Sequence, residues 1–265
     1  MKAEFKSQSA KVNECLPAIL LVGGKGTRLQ SVVSSKPKPL ADVGGNPFLE
    51  LLVMQLRNQG IQRLIMSTGY LAEQIEEAFG DGRRWGVEIR YSKEAQPLGT
   101  AGAVRFAEAF LERSSEFLVL NGDSFIDLNI RRFIDFHRQH DGIASMAVCR
   151  VSDAARFGTV ELGDGGRVAR FREKTGSTLP GLINAGVYAF KRSIVERIPQ
   201  GIASFEKDVF PALLNEGIYA LEEHGIFIDI GTPQDYAYAQ DLCEKLCRAA
   251  TAETQVEADK PSTVR

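Results

Sequence analysis

Leu21-Val22-Gly23-Gly24-Lys25-Gly26-Thr27-Arg28-Leu29, followed shortly by Lys36-Pro37-Lys38-Pro39-Leu40, reads as a phosphate cradle with cations beside it. The apolar stretch Ala18 to Val22 predicts a β-strand running into the loop, and the glycines let the backbone bring its N–H groups against a polyanion. Leu21, Gly23, Gly24, Gly26 and Thr27 are therefore candidate nucleotide-binding positions, and Arg28 and Lys38 supply charge where phosphates would sit. The glycines alone also suit an ordinary turn after a strand. Two familiar nucleotide fingerprints do not fit. A Walker-type loop needs Gly-Lys-Ser/Thr in direct succession, but Gly26 separates Lys25 from Thr27; a dinucleotide fingerprint needs a third glycine where Leu29 stands. What remains is a different loop, Gly-Gly-x-Gly-Thr-Arg, with a Pro-Lys-Pro-Leu segment after it.

Composition permits an enzyme of one sizeable core. The chain has 265 residues, 44% of them hydrophobic, and α/β folds of this length are often one domain. Lys+Arg 32 against Asp+Glu 34 gives a net charge of −2, so no global basic field argues for nucleic acid, and phosphate affinity must be local. Cys15, Cys149, Cys243 and Cys247 are scattered and read as reduced cytosolic thiols; His137, His140 and His224 show no paired spacing that completes a zinc site. No apolar run approaches the roughly 20 residues of a membrane span, and residues 1–13 are too polar for a signal peptide. The expected location is cytoplasmic.

Between termini expected to be disordered, residues 1–16 and about 249–265, a single domain over 17–248 alternates short apolar runs with helical patterns. That rhythm predicts βαβ units and a mainly parallel sheet. Asn46-Pro47 reads as helix cap and first turn, Leu49, Leu52, Val53 and Leu56 as its apolar face, and Gly60 as its stop. Strands are predicted at 63–67, 87–91 and 117–120, with helices around 71–79 and 101–111. From Ile143 the rhythm shortens to strands at 144–151, 159–162, 168–172 and 186–190, with a Gly-rich hairpin turn at 163–166. Helices near 205–215 and 234–246 close the domain.

A second glycine-bearing segment, Gln96-Pro97-Leu98-Gly99-Thr100-Ala101, lies between a strand and a helix, where a helix N-terminus suits a ligand's acceptor groups; it suits a capped helix start equally well. Asn121-Gly122-Asp123 follows the apolar strand ending at Leu120, which puts the Asp123 carboxylate at a carboxyl edge of the sheet, where α/β folds bind ligands. Phe227-Ile228-Asp229-Ile230-Gly231 presents another acid after an apolar run. Two carboxylates sharing phosphate oxygens are the hard donors Mg²⁺ takes. Singly, either Asp is a common turn residue.

The glycine loop and the Pro-Lys-Pro-Leu segment together resemble the signature of the sugar-1-phosphate nucleotidyltransferases, which join a nucleoside triphosphate to a sugar 1-phosphate and release pyrophosphate. The resemblance runs from about Ala18 to Tyr236 and implies a Rossmann-like α/β fold, a mixed, mainly parallel sheet sandwiched by helices. It implies that Gln96, Gly99 and Thr100 hold the base and that Arg28, Lys38 and Lys174 are the catalytic cations. It further implies that Asp123 and Asp229 hold Mg²⁺, and that Asn121, Gly122, Glu173, Asn184, Gly186 and Glu206 line the sugar site. The strings Ser31-Val32-Val33-Ser34, Pro47-Phe48-Leu49-Glu50, Leu182-Ile183-Asn184, Ser204-Phe205-Glu206 and Phe227-Ile228-Asp229-Ile230-Gly231 are similar to the D-glycero-α-D-manno-heptose 1-phosphate guanylyltransferases. GTP and that heptose phosphate are thus the expected substrates. Mannose 1-phosphate, or a pyrimidine triphosphate, is the alternative. Ala185 departs from the pattern, since many relatives carry a second glycine there. Two other classes are weighed: a metal-dependent glycosyltransferase, which commonly offers Asp-x-Asp where this chain has Asp123-Ser124-Phe125, and a nucleotide sensor without turnover.

Overall fold

The computed structural model describes residues 16–252 apart from Lys25, Gln30, Ser34, Glu112, Arg113, Lys174, Thr175 and Ser177. Thirteen strands occur among the described residues: β1 (Pro17–Leu21), β2 (Asp42–Val43), β3 (Asn46–Pro47), β4 (Arg63–Thr68), β5 (Glu88–Lys93), β6 (Glu116–Asn121), β7 (Ser124–Ile126), β8 (Ala144–Val151), β9 (Thr159–Leu162), β10 (Val168–Arg172), β11 (Gly181–Lys191), β12 (Ile218–Glu223) and β13 (Phe227–Asp229). Nine of them form one sheet. β5, β4, β1 and β6 lie side by side and parallel, as the alternation of strand and helix predicts. β11 then pairs antiparallel with β6 and with β8, β12 joins β8 in parallel, and the β9–β10 hairpin meets the first part of β11. The sheet is mixed and mainly parallel, flanked by helices.

The central strands are buried on both faces, which is why they read as continuous apolar runs. Alternation still sorts their side chains: Ala18, Leu20, Leu64, Met66, Leu118 and Leu120 enter one core, whereas Ile19, Ile65, Phe117 and Val119 enter the other. The first core is covered by the helix Phe48–Asn58 and by Cys243–Thr251; the second holds Tyr188, Phe190, Phe205 and Phe210, with the Phe190 and Phe205 rings 4.9 Å apart. This aromatic cluster anchors the loop that carries Glu206 to the sheet.

Several sequence expectations need correction. Asn46 does not cap the helix at 48; Asn46 and Pro47 pair with Asp42 and Val43 in a small hairpin, and the helix starts without a side-chain cap. The segment predicted as one helix over 205–215 is a π-turn, a short α-helix and a 3₁₀ turn in succession. The closing helix is two, Pro233–Asp241 and Cys243–Thr251, and the second buries Ala250, past residue 248 where the domain was expected to end. The strand expected at 186–190 begins at Gly181. The helix Ile130–Gln139 lies outside the helices expected above, although Ile130, Phe133, Ile134 and His137 recur at helical spacing and bury one face, behind Asn129, whose side chain accepts from Arg132 N–H as an N-cap.

That helix buries His137, whose Nδ1 lies 2.9 Å from Ser145 Oγ on β8. Burial pushes the imidazole down to about 4; Glu116 works against this, while Lys191, Arg138 and His140 add to it. The folded protein thus holds His137 neutral, while the unfolded chain takes up a proton near pH 6.5. Stability is expected to be flat in this group above pH 6.5 and to fall by about 3 kcal/mol as pH drops from 6.5 to 4. Thermal unfolding of His137→Gln against the parent protein across that window checks this: the variant should lose part of the acid slope.

Candidate active site

The loops after β1, β4 and β6 meet at the carboxyl edge of the sheet. Val22 N–H donates to Ser67 O at 2.9 Å, Gly122 N–H to Leu21 O at 3.0 Å and Tyr70 N–H to Gly23 O at 3.3 Å, so the glycine loop is tied to its neighbours by backbone bonds. Gly26 has φ +57°, and a Cβ there would stand 2.9 Å from Lys38 Cβ; glycine at this position lets the loop turn and lets Lys38 pack beneath it. A cavity of about 400 Å³ opens above, lined by Leu21, Gly23, Gly24, Gly26, Thr27 and Arg28 on one side and by Lys38, Glu94, Pro97 and Gly99 on the other.

A second cavity, about 390 Å³, adjoins it and is lined by Glu173, Asn184, Gly186, Glu206, Arg156 and Phe157 among others. Arg28, Gly99, Thr100, Asn121 and Asp123 line both. The two cavities therefore meet where a cation and a carboxylate stand together.

Asp229 reaches this junction through a two-stranded ribbon. β13 pairs antiparallel with β7, which sets Asp229 opposite Ser124, and Ile230 N–H donates to Asp123 O at 3.0 Å. Gly231 N–H donates to Asp229 Oδ1 at 2.7 Å. Burial, then the adjacent Asp123 charge, raises the Asp229 carboxyl above the ordinary aspartate range, and Lys38 pulls it back. Lys38, nearly buried, places Nζ 2.6 Å from Asp123 Oδ2. No group of three or more His, Cys, Asp or Glu side chains able to hold a metal occurs among the described residues. A pair of carboxylates with open space beside it nevertheless suits Mg²⁺, which keeps most of its coordination for water and substrate phosphate oxygens.

On the far side, β11 bulges between Asn184 and Tyr188, and the bulge turns residues 184–186 toward the second cavity. Gly186 has φ +78°, and a Cβ would lie 2.6 Å from Asn121 Nδ2, so this glycine fits against Asn121 where an alanine would not. Ala185 is buried, and its carbonyl accepts from Ser124 Oγ at 3.4 Å. Asn184 uses its side chain inward: Nδ2 donates to the Tyr188 hydroxyl at 2.7 Å and Oδ1 accepts from Gly186 N–H at 3.0 Å. Glu206 accepts from the hydroxyls of Thr100, Ser204 and Tyr188.

The structure thus gathers most of the expected residues, with three departures. Gln96 is exposed and lines neither cavity; the carboxylate that faces the first one there is Glu94, whose Oε1 accepts from Ser67 Oγ and whose Oε2 accepts from Leu98 N–H, each at 2.9 Å. Gly122 also lines neither, its place being beneath Val22, which a Cβ would overlap. Lys174 lies outside the described residues. Glu94, Ser67, Arg156, Phe157 and Lys207 had not been singled out from the sequence. Of these only Glu94, two residues before Gln96-Pro97, stood beside a motif that had been.

The α/β sheet thus carries at its carboxyl edge a glycine loop, an acidic pair and two cavities that meet between them. From residue 17 to 245 the chain matches the family described as Nucleotidyl transferase, and it belongs to that family. It is similar to the mannose-1-phosphate guanylyltransferase of Mycobacterium tuberculosis, 40% identical over 223 residues that make up 83% of this chain and 62% of that protein. It is likewise similar to the catalytic subunit beta of the Drosophila pseudoobscura pseudoobscura mannose-1-phosphate guanylyltransferase, 36% identical over 87% of this chain and 63% of that one. The chain thus spans a little under two thirds of the length of these curated relatives. Among solved structures, HddC from Yersinia pseudotuberculosis complexed with GMP-PN matches with a TM-score of 0.76 and 34% identity, covering 85% of this chain and 98% of that one. A putative glucose-1-phosphate thymidylyltransferase from Bacillus anthracis, at TM-score 0.78 and 23% identity, shares the fold. No helix among the described residues is long and apolar enough to cross a membrane.

Proposed function

We propose that this chain transfers GMP from GTP to a sugar 1-phosphate, D-glycero-α-D-manno-heptose 1-phosphate foremost, and releases pyrophosphate. The observation that carries the reading is the junction of the two cavities at Arg28 and Asp123. A triphosphate laid along the glycine loop would present its α-phosphorus there, facing a phosphate monoester in the second cavity. An oxygen of that monoester attacks the α-phosphorus in line, the bond to the bridging oxygen of the β-phosphate breaks, and pyrophosphate leaves. The nucleophile is already anionic near neutral pH, so positioning and charge stabilisation supply the catalysis. Arg28 neutralises charge on the transferring group and the departing pyrophosphate, Lys38 the α-phosphate, and Lys174 the sugar phosphate. Asp123 and Asp229 are the groups that would hold Mg²⁺, which when bound neutralises triphosphate oxygens. Such a reaction on a cellular nucleoside triphosphate belongs in the cytoplasm.

Glu94 supports guanine. Guanine shows two adjacent donors, N1–H and the exocyclic amine, to an acceptor-only carboxylate, whereas adenine shows an acceptor at N1. Glu94→Gln is expected to lower kcat/KM for GTP by about 10- to 100-fold, the loss of one partly buried charged partner, with a smaller effect on a pyrimidine triphosphate. Steady-state pyrophosphate release with each nucleotide measures this.

The heptose is supported by a third cavity of about 690 Å³ that shares Arg156, Phe157, Phe227 and Asp229 with the sugar cavity and leaves room for a side chain beyond C6. The names of the relatives favour mannose 1-phosphate instead. A turnover panel of both sugar phosphates tests the choice: mannose 1-phosphate is expected to be a poorer substrate, and a kcat/KM for it above that of the heptose would overturn the assignment.

A further inference from the structure

The segment that begins with Gly99 and Thr100 reads as part of a nucleotide site, yet the Thr100 hydroxyl points its chemistry the other way. Its single proton is donated to Glu206 Oε2 at 3.0 Å, and its oxygen accepts from Phe205 N–H at 2.9 Å. Both partners sit in the loop on the sugar side. A threonine hydroxyl has one proton, so none remains for a phosphate or carbonyl oxygen of a nucleotide.

Glu206 is held as if for a purpose. Oε2 also receives Ser204 Oγ at 2.6 Å, so this oxygen is occupied by two hydroxyls. Among the described residues Oε1 receives only the Tyr188 hydroxyl, at a long 3.4 Å, and Tyr188 is itself fixed by Asn184 Nδ2. Asn184 can only donate through that nitrogen, which directs the phenol proton toward Glu206. Burial first and the Glu206 charge second raise the Tyr188 phenol well above its ordinary range, so it remains a donor. The carboxylate is therefore locked through Oε2, with Oε1 open to a further donor from the cavity it lines. Backbone bonds join the two walls as well: Ala101 and Gly102 N–H groups donate to Ala203 O, and Ala203 N–H donates to Leu98 O.

We propose that Thr100 is a positioning residue of the sugar pocket, fixing Glu206 in the rotamer that receives a sugar hydroxyl, and is not a nucleotide ligand. This rests on the reading that the cavity holding Glu206 takes the sugar 1-phosphate. Thr100→Val keeps the side chain's shape and removes the donor. With GTP and the manno-heptose 1-phosphate, or mannose 1-phosphate if the heptose is inert, it is expected to raise KM for the sugar phosphate about tenfold, the loss of roughly one hydrogen bond to a charged group. KM for GTP should stay within about twofold and kcat should change less than the sugar KM. Thr100→Ser, which restores the hydroxyl, should recover the parent values.

The decisive comparison is a double-mutant cycle with Glu206→Ala. If Thr100 acts through Glu206, Thr100→Val adds little in that background, on the order of twofold or less. A full tenfold effect on top of Glu206→Ala, a rise in GTP KM as large as the rise for the sugar, or no effect at all would overturn the proposal. Thr100→Ala serves the same cycle should the valine variant not fold. The reading of the pocket fails separately: Glu206→Ala that leaves the sugar KM unchanged overturns both, whereas Glu206→Ala that raises it while Thr100→Val does not overturns the role of Thr100 alone.

Discussion

Asp123→Asn is expected to lower kcat by about 10²-fold or more, the scale on which losing a metal clamp on a transferring phosphoryl group is felt. The substitution keeps the size of the side chain and one acceptor oxygen but removes the charge that faces both cavities and pairs with Lys38. Asp229 remains beside Lys38, so the cation keeps a carboxylate in reach and the fold should lose little stability. Excess chelator should abolish turnover of the parent protein, and added Mg²⁺ should restore it. Full activity in chelator would remove the metal from the account while leaving the charge on Asp123 to be explained. Thermal unfolding run alongside kinetics separates lost chemistry from lost structure.

Arg28→Ala carries the second large effect. Arg28 is exposed at the mouth of both cavities and holds no core packing, so its removal should leave the melting temperature unchanged. In the proposed reaction its guanidinium would meet charge that grows only as the bond to pyrophosphate breaks. A fall in kcat of about 10²- to 10³-fold with a smaller rise in KM is the expected signature of such transition-state stabilisation. Lys38→Ala should be comparably slow but structurally costlier, because it leaves Asp123 and the half-buried Asp229 without their shared cation. Lys25→Ala should matter less. A crippling Lys25→Ala beside a neutral Arg28→Ala would show that the charge on this loop has been matched to the wrong phosphates.

The parts of the site that sequence makes legible are those in which one local segment does one job. The glycine loop follows its strand at once, and Asn121-Gly122-Asp123 follows another; both strands are buried on two faces and announce themselves as apolar runs. What stays hidden depends on contacts between distant segments. Asp229 reads as an acid after an apolar run, but only the pairing of β13 with β7 shows why it lands beside Asp123. Gln96 matches a motif, yet the turn before Pro97 exposes it and aims Glu94 inward, a choice fixed by the bonds from Ser67 and Leu98. Thr100 belongs by sequence to the Gly99-Thr100 segment of the first cavity and by hydrogen bonding to the Glu206 loop of the second, because the loop at 201–206 folds back onto the start of its helix. The broken helix at 205–215 stays hidden for a similar reason: the aromatic cluster around Phe205 and Phe210 holds a π-turn that local helical pattern does not reveal.

The central claim is that the two cavities hold a guanine nucleotide and a sugar 1-phosphate and exchange a nucleotidyl group at their junction. The most direct measurement is competition: equal GTP, ATP, UTP, CTP and dTTP offered together with the heptose 1-phosphate, with pyrophosphate counted and the nucleotide sugar identified by mass. The account expects one pyrophosphate per GDP-sugar formed, with GTP consumed in clear preference and ATP untouched. A preference for a pyrimidine triphosphate would contradict the guanine assignment built on Glu94, and nucleotide binding without pyrophosphate release would contradict the transfer itself.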